Sequence, residues 1–101
     1  MLYAVLFTDQ PNRLNVRSRL MPQHLEFLEH HRERIRAAGP LVHASANEPA
    51  GGLWLVDAND DGEVVELVHA DPFWPTGLRQ TVRVLEWKRV FADGRRLVGS
   101  R

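Results

Sequence analysis

The sequence predicts an α+β fold in which two helices cover one face of an antiparallel sheet. Three features predict it: short apolar runs rich in strand-forming residues, one long helical segment that ends at a Gly-Pro pair, and a shorter helix after a polar turn. Their order along the chain is βαββαβ, the ferredoxin-like pattern. With 101 residues the chain has the length of one domain. We expect this domain over residues 1–92 and a polar tail over residues 93–101.

Four apolar runs predict the strands. Residues 2–7 form an unbroken apolar run before a polar turn, and residues 41–44, 53–56 and 82–91 follow. The first and third runs are apolar throughout, which suits the two central strands of this topology. Within the fourth run the apolar phase shifts near Leu85, which predicts a bulge or two buried faces.

The long helix is predicted over residues 22–38, after a loop over residues 10–19. A proline at position 22 suits the first turn of a helix, where its missing N–H costs nothing. Gly39 followed by Pro40 predicts the end of the helix. The valines and leucine of residues 64–68 predict the second helix, with Asp60 or Asp61 as its N-cap.

Composition excludes several classes of protein. Thirteen basic residues balance thirteen acidic ones, so no charge favours nucleic acid or an anionic membrane. The absence of cysteine excludes disulfides and thiolate metal sites. The apolar run at the N-terminus is too short for a signal peptide or a membrane span. We therefore expect a soluble cytoplasmic protein that binds neither nucleic acid nor membranes.

The predicted sheet has one face that the helices do not cover. Strands 2–7 and 53–56 are apolar on both sides, so this second face would carry an apolar patch larger than soluble monomers usually expose. Burial against a second copy would remove the patch. The sequence therefore predicts a homodimer, or a higher homo-oligomer, that forms through the sheet.

His24 is the residue with the strongest sign of function. It shares the apolar stripe of the long helix with Leu28, Ile35 and His31, so it faces the sheet. One interpretation is a core histidine whose nitrogens are satisfied by neighbouring groups. The other is a general acid or base, because imidazole titrates near neutral pH.

Two aspartates are further candidates, each with a structural alternative. Asp71 either caps a turn ahead of Pro72 or orients a histidine and stabilises its charged form. Asp9 follows the first strand, where it either forms a turn or reaches a ligand site. A metal would need about three convergent ligands, which the spacing of His24 and His31 does not offer. We expect no metal and no cofactor.

Short motifs along the chain resemble the YciI-like family, also called the YCII-related domain. They are Met1-Leu2-Tyr3-Ala4 with Asp9, then Pro22-Gln23-His24-Leu25, Gly39, Ala70-Asp71-Pro72-Phe73 and Arg89-Val90-Phe91. The resemblance implies a dimeric α+β barrel and an active site of a histidine and an aspartate, at His24 and Asp71. Asp9 and Phe73 are the candidate substrate-binding residues. The family includes a dehydrochlorinase of chlorinated aromatics and has relatives of the muconolactone isomerase type.

Two functions follow as hypotheses. The first is a cofactor-free lyase or isomerase that acts by proton transfer between His24, oriented by Asp71, and a small cyclic or aromatic molecule. The second is a non-catalytic dimeric module that binds a small ligand or a partner protein. The hairpin departs from the family pattern, with Ser45-Ala46 and Gly52 at positions where many members carry Gly-Pro and Ser. The resemblance therefore does not assign the substrate of any family member to this chain.

Overall fold

A computed structural model describes residues 1–99 and shows six strands and two α-helices in that part of the chain. Short 3₁₀ turns at Pro11–Arg13 and Trp74–Thr76 precede the first helix and the fourth strand. The elements are β1 (Leu2–Asp9), α1 (Leu14–His30), β2 (Ile35–Val42), β3 (Pro49–Asp57), α2 (Asp61–Ala70), β4 (Arg79–Glu86), β5 (Phe91–Ala92) and β6 (Arg95–Arg96). The order up to β4 is βαββαβ, which confirms the predicted ferredoxin-like α+β fold.

The four long strands form one antiparallel sheet in the order β2-β3-β1-β4. The two central strands are therefore β1 and β3, as predicted. Val5 pairs with Trp54 on one side and with Val84 on the other, and all three point towards the helices. We call the opposite side the outer face; its apolar residues on the central strands and β4 are Leu2, Ala4, Leu6, Leu53, Leu55 and Leu85.

The predicted bounds of the long helix were wrong. The helix covers residues 14–30 rather than 22–38, so most of the predicted loop at 10–19 is helical and Pro22 lies inside the helix. Pro22 is exposed on the solvent side, where the chain tolerates its missing hydrogen bond. An apolar stripe with helical spacing begins earlier, at Val16 and Leu20, and this packing outweighs the preference of proline for a first turn.

The second strand begins earlier than predicted, and it includes the Gly-Pro pair. Ile35 was expected on the helix but starts β2, where it is buried in the core. Gly39 and Pro40 were expected to end the helix but pair with Leu53 and Gly52 of β3. Proline is compatible with β2 because this strand lies at the edge of the sheet, where one row of N–H groups has no partner strand.

The fourth strand ends at Glu86, five residues before the predicted end at position 91. No register shift occurs at Leu85; the irregularity lies between Thr8 and Asp9, where β1 pairs with the start of β4. A small hairpin of β5 and β6 occupies part of the predicted loose tail. The last part of that tail, residues 100–101, lies outside the described residues.

The core lies between the inner side of the sheet and the two helices. The second helix begins as predicted, because the Asp60 side chain accepts a hydrogen bond of 2.9 Å from the Glu63 N–H. The larger cluster of buried core residues is Tyr3, Val5, Phe7, Ile35, Trp54, Val56, Ala58, Val64, Leu67 and Val68. A smaller cluster of Val16, Phe73 and Leu78 lies under the first half of α1. Within residues 1–99, neither helix has the length and apolar character that a membrane crossing requires.

Candidate active site

His24 occupies the middle of α1 and is the helix's buried polar residue on the side that packs against the sheet. Val16 and Leu20 precede it by two turns and one turn, and Phe27 and Leu28 follow it. These positions form one stripe of a helix with 3.6 residues per turn. The His24 side chain therefore lies between the helix and the sheet, with apolar neighbours before and after it along the helix axis.

Asp71 is the first residue after α2, and the surrounding backbone holds it in place. Its own N–H donates to the Val68 carbonyl, and its side-chain Oδ1 accepts a hydrogen bond of 3.2 Å from the Phe73 N–H. Its carbonyl also accepts a hydrogen bond from the Trp74 N–H. The carboxylate therefore closes the turn between α2 and β4, the structural role expected of it, while remaining buried.

The fold joins these two residues directly. His24 Nδ1 lies 2.8 Å from Asp71 Oδ1, although 47 positions separate them in the chain. An ionised carboxylate only accepts hydrogen bonds, so a neutral imidazole in this pair carries its proton on Nδ1 and has Nε2 as its acceptor. The Phe73 ring stacks on the imidazole, with centroids 4.2 Å apart and an interplanar angle of 18°. The ring orientation is thus fixed by one hydrogen bond and one stacked face.

The Asp9 carboxylate is held by two arginines. Arg17 Nη2 donates to Oδ2 at 2.6 Å, and Arg79 Nη1 donates to Oδ1 at 3.0 Å. Asp9 ends β1, Arg17 lies on the first turns of α1, and Arg79 begins β4. This expected site residue therefore lies beside the His24–Asp71 pair, but its two oxygens are engaged by protein groups.

Arg79 is the residue that sequence reasoning missed. Its side chain is only 3% exposed, and its Nη2 lies 3.9 Å from Asp71 Oδ2. The guanidinium also lies over the ring of Phe7, 4.0 Å from its centroid, and 5.3 Å from that of Phe73. Burial lowers the pKa of Arg79 from its ordinary value, and the charge of Asp9 opposes this shift. An arginine that starts a strand gives no sign of such burial in the sequence.

A narrow cleft opens beside the imidazole, between α1 and the strands β2 and β3. Its volume is about 100 Å³, below the range that drug-sized ligands occupy. Three of the residues that line it, His24, Arg17 and Arg79, have polar side chains. The remaining lining residues are Met21, Leu25, Leu28, Ala38, Gly39, Pro40, Gly52 and Trp54. The cleft is mostly apolar with a few convergent polar groups, as is typical of small-molecule sites.

The other two candidate residues, Phe73 and His31, do not line the cleft. Phe73, an expected substrate-binding residue, is fully buried behind the imidazole and does not line the cleft. His31 lies just after α1, where its ring contacts Phe27 rather than His24. Burial, together with the neighbouring His30 and Arg34, lowers the pKa of His31. Among residues 1–99 no cluster of three or more His, Asp or Glu side chains is placed to hold a metal ion.

Comparison with known proteins supplies the family. The YCII-related domain matches residues 1–88. The chain belongs to this family. A solved structure of 5-chloro-2-hydroxyhydroquinone dehydrochlorinase (TftG) from Burkholderia phenoliruptrix AC1100, in complex with 2,5-dihydroxybenzoquinone, is similar to it. The two chains are 30% identical with a TM-score of 0.77, and the match covers 87% of this chain and 94% of the other. No curated protein matches the chain.

Proposed function

We propose that this YCII-related protein is a cofactor-free lyase or isomerase that transfers a proton to and from a small cyclic or aromatic molecule. The observation that carries the proposal is the 2.8 Å hydrogen bond between His24 and Asp71, with the same imidazole lining the cleft. A histidine satisfied only by backbone groups, with no cavity beside it, would have favoured a non-catalytic module.

The proposed chemistry follows from the tautomer. Nε2 of the neutral imidazole accepts a proton from an acidic O–H or C–H of the substrate, and Asp71 stabilises the imidazolium that forms. Departure of a leaving group from the resulting anion gives a lyase. Return of the proton at a different carbon gives an isomerase. Both outcomes need only the imidazole and the carboxylate, so no redox or metal cofactor is required.

The two expected substrate-binding residues act through their neighbours in this proposal. Phe73 stacks on the imidazole and keeps Nε2 directed to the ligand, since its ring lies only 4.2 Å from the imidazole centroid. Asp9 holds Arg79, which itself lines the cleft. We therefore assign both residues a positioning role rather than direct contact with the substrate.

The similar dehydrochlorinase supports the class of substrate. Its name describes a chlorinated hydroxyhydroquinone, and the ligand in its structure is a dihydroxyquinone. The cleft of about 100 Å³ is small, which limits the candidates to molecules of about one ring. We propose hydroxylated rings of this size as the first substrates to test.

The proposed enzyme is a homodimer that forms through the outer face of the sheet. Leu85 and Trp87 are 45% and 46% exposed, and with Ala4, Leu53 and Leu55 they surround one shallow apolar depression. Monomeric proteins rarely leave large side chains grouped in this way. A second copy of the same face would cover them.

The proposal is tested by a thermal-shift screen of small hydroxylated rings. We expect some of them to raise the Tm of the wild type and of His30→Ala, and to have a smaller effect on His24→Ala. His30 is the matched control because it lies on the same helix but is exposed and does not line the cleft. Ligands that stabilise all three proteins equally would contradict a role for His24.

A second measurement separates the enzyme from the binding module. A proton-transfer enzyme in deuterated water exchanges an acidic hydrogen of its ligand or converts the ligand, and NMR follows both. We expect the wild type to do this and His24→Ala to lose at least about 100-fold of the rate, the usual contribution of a general acid or base. Binding without exchange or conversion would leave the module as the function.

A further inference from the structure

We propose that Arg79 is the oxyanion-binding residue of the cleft, and that the site therefore selects molecules that carry or generate an oxyanion, such as a phenolate or an enolate. This inference rests on the proposed function, because it concerns the ligand from which His24 takes a proton. It assigns Arg79 direct contact with that ligand in addition to its contact with Asp9.

The first observation is the unused hydrogen-bonding capacity of Arg79. A guanidinium has five N–H donors, yet the side chain, 3% exposed, donates to Asp9 alone within residues 1–99. Its Nε is the buried side-chain polar atom that lacks a partner in this part of the chain. Nη2 also makes no hydrogen bond there, since Asp71 Oδ2 lies 3.9 Å away. A buried charge with so few partners is costly unless a ligand completes its shell.

The second observation is the position of the Arg79 N–H groups that make no hydrogen bond. Asp71 contacts His24 through Oδ1 and faces Arg79 Nη2 through Oδ2, so the imidazole and the guanidinium flank one carboxylate. Both line the cleft, and Nη2 is not completely enclosed. A ligand oxygen that gives its proton to Nε2 of His24 therefore comes to lie beside a fixed positive charge.

The charges of the site point to the same class of ligand. Arg17 and Arg79 balance Asp9 and Asp71, so the site is neutral while the imidazole is neutral. Proton transfer from the ligand adds one positive charge to the protein and one negative charge to the ligand. A prearranged donor at the developing oxyanion stabilises this state, as in other sites that stabilise oxyanions.

The rigidity of Arg79 supports a role in recognition. The guanidinium is held over the Phe7 ring at 4.0 Å, and Asp9 fixes one of its edges. A side chain restrained on its face and on one edge can present its remaining N–H groups without much loss of conformational entropy. The lowered pKa of Arg79, caused by burial, is consistent with a charge that the protein alone leaves incompletely compensated.

The test compares two probes that differ in acidity. 2,5-Dihydroxybenzoquinone carries two hydroxyl groups that ionise, whereas its 2,5-dimethoxy ether cannot form an oxyanion. Binding of each is measured by calorimetry to the wild type and to the double variant Asp9→Asn/Arg79→Gln. The double variant removes the charges of Asp9 and Arg79 together, and Arg17, which also contacts Asp9, is the more exposed of the two arginines. Circular dichroism checks that the variant folds. Arg19→Gln, which replaces an exposed arginine on the same helix as Arg17, is the control for loss of an arginine outside the cleft.

We expect the wild type and Arg19→Gln to bind the dihydroxyquinone at least about tenfold more tightly than the dimethoxy ether, as for one charge-assisted hydrogen bond. In the folded double variant this preference should disappear. A preference that persists in the double variant, or its absence in the wild type, would overturn the inference. Neither result would affect the proposed function, which fails only if no ligand depends on His24 in the thermal-shift and exchange experiments.

Discussion

His24 and Asp71 are joined by a hydrogen bond of 2.8 Å. Within residues 1–99 it is the buried side-chain hydrogen bond between α1 and the segment after α2. It links the middle of one helix to the end of the other across the inner side of the sheet. Either residue taken alone has a structural explanation, as a packed histidine or as a turn-closing aspartate. Their contact supports the proton transfer that we propose, because the hydrogen bond to Asp71 uses Nδ1 and the same imidazole lines the cleft.

The first prediction concerns the tautomer of His24. We expect ¹⁵N NMR of the neutral His24 imidazole in the wild type to show the proton on Nδ1, because an ionised Asp71 can only accept. In Asp71→Asn the amide can accept or donate, so both tautomers become accessible. Turnover should fall by about 100-fold or more. The variant should still fold, since the amide oxygen of the new side chain can still accept from the Phe73 N–H.

The matched control for this change is Asp61→Asn, an exposed aspartate in the first turn of α2. It should leave both the His24 tautomer and turnover at wild-type values. A wild-type His24 with its proton on Nε2 would contradict the proposed hydrogen bond and remove the base from the cleft.

The second prediction compares two aspartates at opposite ends of the sheet. Asp9→Ala leaves the buried Arg79 without its partner and should cost about 3–5 kcal/mol of unfolding free energy. Asp57→Ala removes an ion pair with the N-terminal amine, in which the aspartate side chain is 62% exposed. That loss should be about 0–1 kcal/mol. Urea unfolding at one protein concentration measures both, and equal losses would contradict the burial of the Asp9 site.

The contrast between predicted and unpredicted features has a physical basis. Central strands are apolar on both sides and edge strands are not, so the positions of β1 and β3 follow from local composition. The bounds of α1 do not, because the packing of Val16 and Leu20 outweighs the usual positions of Pro22 and Gly39.

The residues of the candidate site also divide into those that the sequence indicates and those that it does not. His24 stands out in the sequence because a histidine on an apolar stripe needs a partner, and Asp71 stands out through its turn. The Arg79–Asp9 pair joins residues 70 positions apart. No spacing rule connects two such distant charges, and an isolated arginine in a polar stretch is usually exposed. Only the strand register of β1 and β4 brings them together.

The third prediction tests the proposed dimer. Leu85→Lys places a charge on the outer face, near the end of the edge strand β4, and should shift sedimentation at micromolar concentration from dimer to monomer. Val65→Lys is the control, because Val65 is 38% exposed, close to the 45% of Leu85, but lies on α2, away from that face. It should leave the dimer intact. A wild-type monomer, or a Leu85→Lys dimer of unchanged stability, would contradict the proposed interface.

The fourth prediction contrasts two glycines of paired strands. Gly51 has a φ of +96°, and a Cβ there would lie 1.9 Å from the Phe7 carbonyl oxygen, a backbone atom that cannot move aside alone. Gly51→Ala should therefore cost more than about 2 kcal/mol of unfolding free energy. At Gly39 a Cβ meets nothing within 4 Å. Gly39→Ala should be close to neutral, and a similar loss for both variants in urea would contradict the close approach of β1 to β3.

The last prediction concerns Tyr3, the single tyrosine of the chain. Burial raises its pKa above the ordinary value, and the charge of Glu86, its partner across β1 and β4, adds to the shift. The folded protein therefore keeps the phenol proton to a higher pH than the unfolded chain does. Stability is unaffected below the unfolded value near 10 and falls as the pH rises from there through the folded value.

Ultraviolet absorbance reports the ionisation of this one phenol directly. We expect its midpoint to lie above that of the protein unfolded in urea, and Glu86→Gln to bring it part of the way back. Glu66→Gln is the control, because Glu66 is an exposed acid on α2 that does not contribute to the shift. Burial is the larger cause, so most of the shift should survive in Glu86→Gln. An ionisation midpoint equal in folded and unfolded protein would mean that Tyr3 is not held in the core by β1.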